Sequence, residues 1–369
     1  MTDGPQAFLG PAALGLRRPG LAERIVGLAY HAGLAPGALR LRRRDDPGAA
    51  ENDALALGLA SVMASVGLDA EVRSHAPGPA HDPSPAAIAR AAADPQALAI
   101  EVEGEGWAMT LPLEPGLAAG AARRLDLGAE AALRLLLGLF DACLADWAVA
   151  GPCGEVAAQL QGQIRGQLQG QPPLSRFTWR GPDLLTDLEA LASPLPTVEL
   201  HRSITGAVAL LGGAGFEPET LRAALPALSE SWTPPPVQWL AAPGGEAAPL
   251  RPVSARLKRR QELLARRLAD RTGIQACDPA AAAAIEARTD PSALSAEEGE
   301  ELSAFVGEAA VTLGGAWFRL LDPTVPFPAS LVVLLGGRAP FYPHAGVERW
   351  RQGGIAPTAA LEKARRALG

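Results

Sequence analysis

Hydrophobic and polar positions alternate with two distinct periods along this chain, and the periods predict where helices and strands lie. Leu133, Leu136, Leu137, Phe140, Leu144 and Trp147 recur every three or four residues, which predicts one long amphipathic helix over 129–149. A shorter helix is expected over 21–33. Another is expected over 53–66 with Gly67 as its stop, and a third over 85–93. Leu39-Arg40-Leu41-Arg42 alternates with period two, as a strand does when one face meets water. A further strand is expected over 68–73. Residues 97–103 and 107–113 read as a hairpin turned by Gly104-Glu105-Gly106, with Ile100 and Val102 inward and Glu101, Glu103 and Glu105 solvated.

The segment 159–171 breaks this pattern. It repeats Q-L-Q-G-Q, and Gly162, Gly166 and Gly170 fall four residues apart. It reads as a polar tether or as a glycine-striped helix. Farther on, Leu257, Leu264 and Leu268 form an apolar stripe on a helix over 256–271, flanked by Arg256, Arg259, Arg260, Arg266, Arg267 and Arg271. Ser295 and Glu298 stand in capping-box register before a helix whose first turns carry Glu297, Glu298, Glu300 and Glu301.

Two passages share L-G-G-A-x-F, namely Gly206–Phe216 and Gly307–Phe318. Each is read as an apolar helix stopped by glycine. Each is followed by Pro-rich chain, a strand (237–240 or 331–335) and a further Gly-Gly pair. The shared order suggests a duplicated helix–strand–strand module in the C-terminal half. Together these elements predict an α+β fold of two or three small domains. The parts are a loose leader over 1–19, an N-terminal α+β domain over 20–150 and a Gln/Gly-rich linker or helix over 151–180. A second α/β module over 181–250 and a C-terminal module over 251–369 follow.

Composition narrows the function. With 369 residues and 48% hydrophobic content, the chain is long enough for a core without disulfides or metals. Positive charge is almost all arginine, since Lys258 and Lys363 are the sole lysines, which fits a GC-rich bacterial genome. A net charge of −7 disfavours a broad nucleic-acid surface. Cys143, Cys153 and Cys277 make no disulfide framework or metal motif, so a reducing, cytoplasmic setting is expected. No signal peptide is expected from residues 1–10, and charges interrupt the apolar run 131–150, so it is expected to be core rather than a membrane span.

Three clusters carry candidate chemistry. Glu199, His201 and Ser203 alternate, so a carboxylate could orient an imidazole that activates a hydroxyl, while Ser203 equally suits a helix N-cap. His75, His81 and Asp82 share a Pro-rich loop and offer divalent-metal donors at a spacing that matches no standard site. The arginines of 256–271 suit phosphates or an acidic partner. The chain lacks G-x-S-x-G, H-E-x-x-H and the phosphate-binding glycine loops, and no cofactor is expected. The leading expectation is a non-catalytic binding or accessory protein whose partner is another protein. The alternatives are a hydrolase centred on His201 and nucleic-acid binding through the 256–271 helix.

Overall fold

A computed structural model of the chain describes residues 5–9, 11–12, 18, 20–31, 33, 36–43, 84–104, 107–113, 116–117, 129–152, 177–184, 198–213, 217, 237–240 and 248–368. The fold is α+β, and every strand pair among the described residues is antiparallel. The chain divides into two compact units. One comprises Met1–Gly181, Asp187–Ser203 and Ala207–Pro234; the other comprises Pro182–Thr186, Ile204–Gly206 and Pro235–Gly369. The segment 181–250 therefore contributes to both. The helix expected over 53–66, the strand over 68–73 and the Gln-rich tract 159–171 lie outside the described residues.

In the first unit, β1 (Pro5–Leu9), β7 (Trp147–Pro152), β8 (Phe177–Arg180), β9 (Val198–Arg202) and β10 (Val208–Gly212) form a sheet in the order β1-β7-β8-β10-β9. A two-stranded pair joins β2 (Pro11–Ala12) to β6 (Gly116–Leu117). A second sheet runs β3 (Pro36–Arg43), β4 (Ala97–Gly104), β5 (Trp107–Pro112), with Ile100 and Val102 buried as their period predicts. Helix α1 (Leu21–His31) packs on α2 (Pro85–Ala93) and α3 (Ala129–Ala142). Helix α2 begins where Pro85 follows the Ser84 cap, whose hydroxyl oxygen accepts the Ala87 N–H.

Helix α3 ends seven residues earlier than its apolar period predicts. Leu144 adopts a left-handed φ of 49°, and the chain re-enters the sheet as β7. Residues 147–151 are buried throughout. A strand buried on both faces shows no alternation, so its run of apolar residues extends a helical pattern without being helix. Backbone groups of the turn are used by the neighbouring strand: the indole N–H of Trp179 donates to the Ala145 carbonyl at 3.0 Å, and the Gly181 N–H donates to Asp146 at 2.7 Å.

The second unit carries a sheet of β11 (Gln238–Leu240), β12 (Ala248–Pro252), β13 (Gly315–Leu320), β14 (Leu331–Leu335) and β15 (Ala339–Phe341), paired in chain order. Helices α4 (Ala255–Thr272) and α5 (Pro279–Glu286) pack on α6 (Ala296–Thr312), and α6, α7 (Pro343–Arg351) and α8 (Pro357–Arg366) pack on the sheet. Helix α6 is central: Leu302, Phe305, Val306 and Ala309 bury into a core shared with Leu257, Leu264 and Leu268 of α4, and with Trp317 and Val333 of the sheet. Its apolar residues surround the axis, as expected of a helix packed on several sides. The expected capping box is present, with Ser295 and Glu298 satisfying each other's backbone N–H groups.

The L-G-G-A-x-F passages do not share a structure. The helix expected over 206–213 is strand β10, paired with β8 and β9. Ser203 is correspondingly not a helix cap; its N–H donates to the Ala207 carbonyl at 2.9 Å, closing the β9–β10 connection. Only the second passage is a helix followed by a strand, α6 then β13.

Candidate functional site

Strand β9 brings together two of the three residues read as a catalytic cluster. Glu199 and His201 alternate on the strand and meet, with Oε2 3.6 Å from Nε2. The Glu199 side chain is 76% exposed and that of His201 36%, but the His201 Nε2 atom is itself shielded from solvent and makes no hydrogen bond among the described residues. Ser203 turns elsewhere. Its hydroxyl donates to Oδ1 of Asp141, in the last turn of α3. The hydroxyl proton thus goes to a carboxylate rather than to the imidazole that a hydrolytic triad requires. In the sequence Asp141 is one of the charges that interrupt the apolar run 131–150. The contact spans 62 residues of chain, and no local pattern announces it.

Helix α4 places the six arginines in unequal settings. It runs beside the acidic start of α6. Arg260 Nη2 lies 2.9 Å from Glu300 Oε1, and its guanidinium also stands 5.6 Å over the Phe327 ring. Arg267 faces Glu297 at 4.0 Å. Arg271 contacts Glu301 at 2.6 Å and Glu298 at 3.7 Å. Burial pushes the Glu301 carboxyl above its ordinary range, and Arg271 opposes that rise. Hydrogen bonds from Ser295 hold Glu298 below its ordinary range. Arg256 is half-buried, whereas Arg259 and Arg266 are exposed.

A third cluster, unforeseen from sequence, lies under the start of α4. Asp183, in the 3-10 turn Pro182–Leu184, is 1% exposed, and its Oδ2 is 3.1 Å from Nη1 of Arg319. Its Oδ1 accepts the Ser254 N–H at 3.0 Å, while the Ser254 hydroxyl donates to the Asp183 carbonyl at 2.8 Å. The same Ser254 oxygen caps α4 by accepting the Leu257 N–H at 3.1 Å. Arg251 stands opposite Arg319 across β12 and β13. All four residues are buried. Their arrangement pins the 3-10 turn against α4 and offers no open coordination or binding face.

His75, His81 and Asp82 lie outside the described residues. Among the described residues no group of three His, Cys, Asp or Glu side chains is placed to hold a metal ion. Burial pushes the Cys143 thiol up to about 12 and also raises Cys277, which Glu308 and Asp278 raise further. Neither has the lowered pKa of a nucleophilic cysteine. A half-open cleft of about 440 Å³ lies in the first unit between β3 and α2, lined in part by Arg43 and Asp94, which pair at 3.0 Å. Leu39 and Leu41 of the predicted strand line it, and none of the residues read as candidate chemistry does. No described helix is long and apolar enough to cross a membrane.

No family model and no curated protein matches the chain. Among solved structures it is similar to the Pseudomonas aeruginosa T6SS protein PA0821, with a TM-score of 0.40 and 14% identity over 69% of this chain and 81% of that one. A likeness that distant transfers neither fold nor function.

Proposed function

We propose that the protein is a non-catalytic binding or accessory protein that acts through contacts with another protein. The observation that carries this reading is the placement of its exposed apolar side chains. Trp239 is 65% exposed, Ile355 61%, and Ile204 and Leu263 each 58%. All four belong to the second unit, while Tyr30, 53% exposed, belongs to the first. A tryptophan this open to water is uncommon in a monomer's surface, and large apolar side chains of this kind supply most of the energy of protein contacts.

The alternatives have less support. The Glu199–His201 pair favours a hydrolase, but the Ser203 hydroxyl is committed to Asp141. The α4 arginines favour nucleic acid, but Arg260, Arg267 and Arg271 face glutamates of α6. The free thiols Cys143 and Cys277 suit the reducing cytoplasm of a bacterial cell, where we place the protein.

The test is to purify the tagged full chain from its native extract and to rebuild any complex from purified components. A protein partner at fixed stoichiometry, whose binding weakens when Trp239→Asp or Ile355→Asp is introduced, is the expected result. A chain that emerges alone, and that hydrolyses ester or amide substrates in a manner lost with His201→Ala, would overturn the reading.

A further inference from the structure

We infer that the outward face of α4 is a docking surface for an acidic, amphipathic segment of a partner protein, held between Arg259 and Arg266 around Leu263. The inference rests on the protein-binding reading above and adds to it the surface and the chemistry of the partner.

Residues 259, 263 and 266 are spaced i, i+4, i+7 and therefore lie along one stripe of the helix. At 1.5 Å per residue the two arginines stand about 10 Å apart along the axis, with an exposed leucine between them. What distinguishes them is the lack of a charge partner. Neither Arg259 nor Arg266 has an ion pair or side-chain hydrogen bond among the described residues, although the basic residues around them do. Lys258 is held by Glu262 at 4.0 Å, Arg260 by Glu300 at 2.9 Å, Arg267 by Glu297 at 4.0 Å and Arg271 by Glu301 at 2.6 Å. The acidic start of α6 thus neutralises one flank of α4 and leaves the outward stripe positive. Glu262 and Asp270 stand four residues before and after Arg266, at the spacing of helix neighbours, yet neither forms an ion pair with it among the described residues; Glu262 meets Lys258 at 4.0 Å.

An unpaired guanidinium is planar, weakly hydrated and suited to a carboxylate fork. Two of them about two turns apart, with an aliphatic side chain between, match a segment that carries two carboxylates flanking an apolar residue. The rest of the chain is acidic, with a net charge of −7. This stripe is therefore a local reversal of sign, which favours an acidic partner at this face. The same acidity works against a polyanion, which would meet two free cations and a leucine inside a repelling field.

The experiment uses the full chain with Leu263 replaced by the photo-crosslinking residue p-benzoylphenylalanine, irradiated in native extract. Parallel chains carry the probe at Trp239 and at Ile355. The expected result is a crosslink from position 263 to a protein peptide bearing Asp or Glu on both sides of an aliphatic residue. Adding R259E/R266E should reduce it by about tenfold or more, as loss of two ion pairs at an interface predicts. R259Q/R266Q should reduce it less, with an unchanged melting temperature. Crosslinks from 239 or 355 but not 263 would overturn this surface and leave the protein-binding reading standing. Silence at all three positions would overturn both. A crosslink at 263 to nucleic acid, to lipid or to a peptide without acidic residues, or one indifferent to charge reversal, also sinks the inference.

Discussion

Gly206–Phe216 and Gly307–Phe318 share a hexapeptide, and each begins with a glycine, yet they fold into unlike structures. In the first, residues 208–212 are a buried strand between β8 and β9; in the second, residues 307–312 complete a helix of 17 residues. Gly206 has a left-handed φ of 82°, and a Cβ there would collide with the Phe327 ring. Gly307 is helical, and a Cβ there would collide with the Trp317 indole. Gly314, with φ of 87°, stops the helix and faces open space. The difference comes from surroundings. The second passage lies downstream of a capping box that starts a long helix, whereas the first has five residues between Gly206 and Gly212, which suits a strand and is short for a helix. Partners on both sides then decide the matter, because propensity is a weak prior.

These contrasts can be broken by substitution. Gly206→Ala has the largest expected effect. It combines a left-handed alanine, at about 1–2 kcal/mol, with overpacking against Phe327, at about 1–3 kcal/mol, so denaturant titration should show a loss of about 3 kcal/mol. Gly307→Ala incurs only the overpacking and gains about 1 kcal/mol of helix propensity. It should cost about 2 kcal/mol or less, and Trp317→Leu in the same chain should restore part of that loss. Equal effects at 206 and 307 would show that backbone conformation does not separate the two sites.

The two histidines His201 and His344 extend the comparison. His201 is at the surface beside Glu199, while His344 is buried, with Nε2 3.4 Å from the Gln261 side-chain oxygen. Burial, aided by Arg260, lowers the pKa of His344 to about 3. Its ordinary value lies near 6.5. Between these values the unfolded chain takes up a proton that the folded chain refuses, so stability falls as pH falls. From pH 7 to pH 5 this group should remove about 2 kcal/mol. His344→Leu should flatten that part of the pH–stability curve, and an unchanged slope would contradict the buried placement.

Smaller effects complete the series. Gly314→Ala should cost about 1 kcal/mol, because strain is present without collision. The Arg260–Glu300 pair is partly exposed, and a double-mutant cycle should give a coupling of about 0.2–1 kcal/mol that shrinks in high salt.

Features legible in the sequence are those fixed by near neighbours. Helix α2 announces itself by Ser84 and Pro85, α6 by its capping box, and α4 by the stripe of Leu257, Leu264 and Leu268. The turn between β14 and β15 is announced by Gly336-Gly337, both at positive φ. Strand β7 was hidden because complete burial erases period two. At the candidate sites, Glu199 and His201 meet because they are two residues apart on a strand. The links from Ser203 to Asp141 and from Asp183 to Arg319 join distant segments through the fold. The uneven pairing of the α4 arginines was equally invisible, since it depends on how α6 lies beside α4.

The central claim is that the second unit binds another protein and that the outward stripe of α4 takes part. Its most direct measurement is the affinity of the purified full chain for its co-purified partner, compared among the unaltered chain, R259E/R266E and H201A/S203A. The account predicts that charge reversal weakens binding by about tenfold or more while H201A/S203A leaves it unchanged. Binding that ignores R259E/R266E, or that disappears with H201A/S203A, would contradict it.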